Sequence, residues 1–90
     1  MATIRVPSAL RLLTANQADV EVDAPTVRAA LAQLDQKHPG ILKKVLDGDA
    51  VKPFIRIYVG ADDIEALQGL DTAVAARDEI AIIPALAGGR

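Results

Sequence analysis

Hydrophobic and polar residues alternate in several short segments of the chain, as they do in strands that have one buried face. The segments cover residues 3–6, 20–22, 54–59 and 79–84. Pro7 and Gly60 end the first and third segments, because proline lacks an amide donor and glycine favours a turn. Residues 10–17 are expected to form the loop of a long hairpin between the first two strands, and a further short strand is expected near Ile64.

The alternation also predicts which side chains of the last two long segments enter the core. The side chains expected in the core are Ile55, Ile57, Val59, Ile80 and Ile82. Those expected on the opposite face are Phe54, Arg56, Tyr58, Ala81 and Ile83.

The segment that follows residue 25 repeats its apolar residues with the period of a helix. The apolar stripe consists of Val27, Ala30, Leu31 and Leu34. Thr26 is expected to cap the first turn through its hydroxyl. Pro39 and Gly40 are expected to end the helix, because proline disfavours helical geometry in the residue before it. A short helical piece within residues 41–46 and a turn at 47–49 should follow.

The order of these elements is two strands, a helix and then returning strands. This order predicts an α+β domain with the ubiquitin-like β-grasp fold, in which a mixed sheet of four to five strands packs on one main helix. Residues 1–84 are expected to form this domain, and residues 85–90 are expected to form a flexible C-terminal Gly-Gly tail.

Composition limits the chemistry that the chain can perform. The chain has 90 residues, a formal net charge of −2 and no cysteine, which excludes disulfides, thiolate metal sites and a cysteine nucleophile. Its basic residues are scattered, with Lys43-Lys44 the one adjacent pair, so a nucleic-acid surface is not expected. No segment approaches a signal peptide or the roughly 20 apolar residues of a membrane span. We therefore expect a cytoplasmic protein.

The polar residues predict no catalytic or metal-binding constellation. The single histidine, His38, precedes Pro39 and is expected at the helix end. Asp62, Asp63 and Glu65 lack the spacing of a calcium loop and are expected to form either a solvated acidic turn or a complement to a basic partner. Because no glycine-rich phosphate loop joins a strand to a helix, we expect no bound nucleotide.

Three segments of the chain resemble those of the MoaD/ThiS family of ubiquitin-like sulfur carriers. Residues 26–34 resemble the first helix of that family, and residues 54–64 resemble its central strand and acidic turn. The most specific likeness is the finish at residues 78–89, a strand followed by proline, small residues and Gly88-Gly89. The chain is most similar to the longer members of the family, which are the small subunit of molybdopterin synthase and the sulfur carriers of cysteine biosynthesis.

This resemblance implies a protein cosubstrate and not an enzyme, or at most the small subunit of a synthase such as molybdopterin synthase. An E1-like adenylyltransferase of the MoeB/ThiF type would use ATP to adenylate Gly89, which sulfide would convert to a thiocarboxylate. A sulfur-accepting enzyme, either a molybdopterin synthase large subunit or a cysteine synthase type, would then receive the sulfur. The residues implied to thread into these partners are Ala85, Leu86, Ala87 and Gly88.

Arg90 departs from the family pattern, because members usually end at the second glycine. Some carriers have a short extension that a JAMM-type zinc protease removes, so Arg90 is expected to be a processing site that gates activation. Two other interpretations are an inactive paralogue and a chain in which Arg90 itself is the acceptor.

Phe54, Tyr58 and Ile83, with Leu86, are expected to form an apolar patch that docks on a partner. The simpler interpretation is that they are incidental surface residues. Two other functions also remain open: a β-grasp interaction module that carries no sulfur, and a ubiquitin-like modifier that is conjugated to other proteins through Gly89.

Overall fold

The structure is a computed structural model that describes residues 1–84. The predicted tail at 85–90 lies outside the described residues. The strands are β1 (Ala2–Arg5), β2 (Asp19–Val22), β3 (Leu46–Asp47), β4 (Ala50–Val51), β5 (Ile55–Val59), β6 (Asp62–Asp63) and β7 (Glu79–Pro84). The α-helices are α1 (Val27–Lys37) and α2 (Leu42–Val45). Short 3-10 helices occupy Ser8–Thr14, Ile64–Ala66 and Gly69–Asp71.

Five of the strands form one mixed sheet in the order β2-β1-β7-β5-β6. The pairs β1–β2, β5–β7 and β5–β6 are antiparallel, whereas β1 and β7 run parallel. The last strand, β7, therefore inserts at the centre of the sheet between strands from the two halves of the chain. The order confirms the predicted α+β β-grasp fold, with a sheet at the upper end of the predicted range of strands.

Helix α1 packs across one face of the sheet and closes the core. Val27, Ala30, Leu31 and Leu34 are all buried, as the helical period predicted. The hydroxyl of Thr26 accepts a hydrogen bond of 3.2 Å from the amide of Ala29, which caps the first turn. The opposite wall of the core consists of the inner faces of the strands, with Ile4, Ile57, Ile80 and Ile82 at most 2 % exposed.

The hairpin loop expected between β1 and β2 is instead mostly a 3-10 helix. Leu10 and Leu13 of this helix pack against the core, while Leu12 is 87 % exposed. The buried hydroxyl of Thr14 donates to the carbonyl of Gln17 at 2.8 Å and so fixes the end of the helix.

Two short elements also differ from the sequence-based expectation. The turn predicted at 47–49 lies inside a hairpin formed by β3 and β4, which was not predicted. The short strand expected near Ile64 is β6, at Asp62–Asp63, and Ile64 itself begins a 3-10 helix. Strands β3, β4 and β6 have two residues each, too few for a periodic pattern to define their bounds.

Candidate functional site

The central strand β7 carries the chain to the predicted tail. Its last residue, Pro84, pairs with Ile55, the first residue of β5. The pairing with the parallel neighbour β1 ends at Ala81, so the described chain ends at one end of the sheet beside β5. Any segment attached to Pro84 begins beside the start of β5.

Tyr58 and Ile83 lie together on the sheet face that points away from α1. In the register of β5 and β7, Ile83 is opposite Arg56 and Tyr58 is opposite Ala81. Tyr58 is half-buried and Ile83 is 44 % exposed, so this face presents apolar surface beside the end of β7. The structure brings these two predicted residues onto one face of neighbouring strands.

The predicted strand position of Phe54 is wrong. Phe54 lies in the turn before β5, because the carbonyl of Lys52 accepts a hydrogen bond of 3.0 Å from the amide of Ile55 and turns the chain. It nevertheless remains 44 % exposed. Its side chain borders a groove at the end of the sheet and is not part of the outer face that contains Tyr58.

This groove has a volume of about 300 Å³. Its apolar lining includes Leu10, Phe54, Ile55 and Pro84. Lys44 and Lys52 complete it, so the groove combines an apolar lining with two basic side chains. Because Pro84 is part of the lining, the groove lies directly beside the point where β7 ends.

Charged residues flank the apolar part of the outer face on both sides. On one side Arg5 contacts Asp19 at 3.4 Å and Glu79 at 3.5 Å. On the other side Arg56 contacts Asp63 at 3.7 Å and Glu65 at 3.5 Å. Each arginine thus meets two carboxylates, which leaves an excess of negative charge at both edges.

The sequence left open whether the acidic turn at Asp62, Asp63 and Glu65 is solvated or complements a basic partner. In the structure this turn is partly paired with Arg56 of the same chain. Asp63 also accepts a hydrogen bond of 2.9 Å from the amide of Glu65 and caps the 3-10 helix there. These contacts favour a structural role for Asp63, while Asp62 remains exposed.

Within residues 1–84, no group of three or more histidine, aspartate or glutamate side chains could hold a metal ion. His38 is at the C-terminal cap of α1, where its amide donates to the carbonyl of Leu34 at 2.8 Å. No helix in this part of the chain is long and apolar enough to cross a bilayer.

Sequence reasoning missed the groove and its lysines. The sequence singles out Lys44 only as part of its one pair of adjacent basic residues, and it does not single out Lys52. The signal available in the sequence was weak, because Leu10, Lys44, Lys52 and Pro84 are far apart along the chain and meet only in the fold. The tail residues 85–90, including the predicted reactive Gly89 and processing residue Arg90, lie outside the described residues.

Comparisons with known proteins support the family resemblance over nearly the whole chain. A sequence model of the ThiS family matches residues 4–89. The sulfur carrier protein CysO of Mycobacterium tuberculosis is 33 % identical over an alignment of 90 positions, and this alignment covers 97 % of each protein.

Solved structures give the same result. A chain in the crystal structure of the Amycolatopsis orientalis BexX/CysO complex superposes with a TM-score of 0.95 at 30 % identity, covering 99 % of this chain and all of that one. The small archaeal modifier protein 1 of Methanosarcina acetivorans has a TM-score of 0.83 at 25 % identity, with 98 % of this chain and 95 % of that one covered. The protein therefore belongs to the ThiS family of ubiquitin-like sulfur carriers.

Proposed function

We propose that this sulfur carrier holds its sulfur as a thiocarboxylate on Gly89. A carboxylate oxygen of Gly89 attacks the α-phosphate of ATP and releases pyrophosphate, which leaves an acyl-adenylate. Hydrosulfide then attacks the acyl carbon and loses its proton, and AMP departs with the bonding electron pair. The thiocarboxylate that remains is a soft nucleophile, comparable to a cysteine thiolate, which this chain lacks.

The observation that carries the proposal is the continuity of the family match through β7 and as far as Gly89. Residues Gly88 and Gly89 have no Cβ, so a narrow active-site channel can accommodate both. Gly89 is the fifth residue after Pro84 in the sequence, so it can reach at most about 18 Å from the end of β7. An enzyme that modifies Gly89 must therefore approach the sheet end where β5 begins.

The proposed partners follow from this chemistry. Adenylation requires an E1-like enzyme of the MoeB/ThiF type, to which the ATP belongs, and the carrier acts as its cosubstrate. The similarity to the sulfur carrier protein CysO favours a sulfur acceptor of the cysteine synthase type over a molybdopterin synthase large subunit. The carrier meets both enzymes in the cytoplasm.

Removal of Arg90 precedes activation in this proposal. The family match stops at Gly89, and an arginine joined to Gly89 converts the reactive carboxylate into an amide. A JAMM-type zinc protease is the class of enzyme that would cleave this bond.

Intact mass spectrometry tests the proposal directly. The protein is purified from its native cells without added thiols and compared with a variant that lacks Gly88 and Gly89. We expect the natural chain to lose one arginine and to exchange one oxygen for one sulfur, whereas the variant keeps an unmodified mass. A natural chain that retains Arg90 and carries no sulfur, even under sulfur starvation, would contradict the proposal.

A second candidate function is conjugation of Gly89 to lysines of other proteins. The similarity to the small archaeal modifier protein 1 favours it, because a modifier requires the same activated glycine. Tryptic peptides in which residues 78–89 of this chain are joined to a lysine of another protein, detected in digests of the native cells and absent when the two glycines are deleted, would establish this function.

A further inference from the structure

We propose that the groove beside Pro84 binds an acidic segment of a partner protein, a segment in which carboxylates flank one large apolar side chain. The inference rests on the proposed function only in that the partner is an enzyme that handles the tail. The groove is distinct from the outer-face patch of Tyr58 and Ile83, because it lies at the end of the sheet and is closed by residues of the 3-10 helix Ser8–Thr14 and by Lys44 of α2.

The size of the groove determines what it can accept. About 300 Å³ is at the lower limit of small-molecule sites, which is room for one or two side chains. The apolar lining includes Leu10, which packs against the core, and Phe54, which is 44 % exposed. An apolar side chain that enters the groove would cover the exposed ring of Phe54 and gain the usual free energy of removing apolar surface from water.

The charge of the groove determines which residues should flank the apolar side chain of the bound segment. Two elements meet at the groove because the amide of Lys52 donates to the carbonyl of Val45 at 3.0 Å, which holds the end of β4 against the end of α2. This contact places Lys44 and Lys52 on the same groove. Among residues 1–84 neither lysine forms an ion pair, whereas Arg5, Arg28 and Arg56 each contact two carboxylates. The groove is therefore locally basic in a chain whose formal net charge is −2.

The sequence of the tail disfavours the chain itself as the occupant. Residues 85–90 include one basic side chain, Arg90, and no acidic one, so after Arg90 is removed the terminal group of Gly89 would bring a single negative charge to the two lysines. A partner segment with several carboxylates complements both lysines, and complementary charge also accelerates encounter with the partner. Docking there would hold the partner next to the residue from which the tail departs.

The test is a nuclear magnetic resonance titration of the full chain with a short synthetic peptide, acetyl-Glu-Asp-Leu-Glu-Asp-amide. We expect shifts confined to the amides around Leu10, Lys44, Lys52 and Phe54, and we expect them to weaken with added salt. Two control peptides, one with lysine in place of each acidic residue and one with serine in place of leucine, should bind about tenfold more weakly or not at all. Equal binding of all three peptides, or shifts outside the groove, would overturn the proposal.

Protein variants provide a matched comparison. The double change of Lys44→Glu and Lys52→Glu should weaken binding of the acidic peptide by about tenfold or more. Lys43 is adjacent in sequence but does not line the groove, so Lys43→Glu should have little effect on binding. If Leu86→Ser alone shifts the groove resonances without peptide, the tail occupies the groove and the proposal is wrong. If the shifts depend on protein concentration, a second copy occupies it and the proposal is also wrong.

These results do not depend on activation of Gly89. A groove that fails to bind the peptide leaves the proposed sulfur chemistry intact. A chain that acquires no sulfur overturns the proposed chemistry, while the titration still decides whether the groove binds an acidic segment.

Discussion

Successive residues of β5 and β7 point alternately to the two faces of the sheet, and these two faces have different environments. On the inner face Ile57, Ile80 and Ile82 are at most 2 % exposed and pack beneath α1. On the outer face Tyr58 is half-buried and Ile83 is 44 % exposed, and both lie between arginine–carboxylate clusters. Packing therefore limits which side chains the inner positions can accept. The outer positions lack this limit, so their side chains can serve to recognise a partner.

The largest effect on stability is expected from a change on the inner face. Ile80→Ala removes a fully buried side chain at the centre of the sheet and should lower the free energy of unfolding by about 2–5 kcal/mol. Domains of this kind have a total of about 5–15 kcal/mol, so the variant should be only marginally stable. Chemical denaturation measures the change.

The matched outer-face variant for this comparison is Ile83→Ala on the same strand. Its side chain is 44 % exposed, so the loss should stay near 0.5 kcal/mol. Equal losses for the two variants would contradict the division of the strand into a packed face and a recognition face.

The next effect is expected on activation and not on stability. Phe54→Asp combined with Ile83→Asp places charge on two exposed apolar residues, one lining the groove beside Pro84 and one on the outer face of β7. If either surface docks on the activating enzyme, the kcat/KM for adenylation should fall about 30-fold or more, the loss typical of central interface residues. Release of pyrophosphate measures the reaction on chains that end at Gly89, and the unfolding transition should change little.

Leu67→Asp is the control for this double variant, since Leu67 has the same exposed fraction of 44 % and lies outside β5 and β7. Its activation should match that of the natural chain. Undiminished activation of the double variant would identify Phe54 and Ile83 as incidental surface residues.

Both faces could be predicted from the sequence because a single period-2 pattern assigns every residue of β5 and β7 to one side. The helical stripe of α1 was equally readable, and Thr26 was recognised as its cap. The pattern failed where burial depends on distant segments. In Ser8–Thr14, for example, Leu10 and Leu13 are drawn onto the core while Leu12 is left exposed, which matches neither a long helix nor a strand.

The candidate site likewise has one part that can be predicted from the sequence and one part that cannot. The Gly88-Gly89 motif is local in sequence and could be recognised without a structure, although it lies outside the described residues. The groove is formed by Leu10, Lys52 and Pro84, which have no common pattern and meet only because β7 inserts between β1 and β5. Phe54 was assigned to the strand because it continues the alternation, yet the bond from the amide of Ile55 to the carbonyl of Lys52 turns the chain before it can pair.

The smallest effect is expected from the charges at the edge of the outer face. The side chain of Arg56 is 47 % exposed, and its partners Asp63 and Glu65 are 23 % and 68 % exposed. Exposed pairs of this kind contribute little, so Arg56→Gln should lower the free energy of unfolding by less than about 1 kcal/mol. Arg5→Gln at the opposite edge, where the arginine is 57 % exposed, is the matched variant and should behave in the same way.

Salt distinguishes the electrostatic part of this effect from packing. If the contribution of Arg56 is the attraction to its two carboxylates, the difference between Arg56→Gln and the natural chain should shrink when unfolding is measured at high ionic strength. A loss above about 2 kcal/mol that persists in salt would mean that the aliphatic stem of Arg56 packs against its neighbours on the sheet. The outer face would then contribute to stability as well as to recognition, and the contrast between the two faces of β5 would be one of degree.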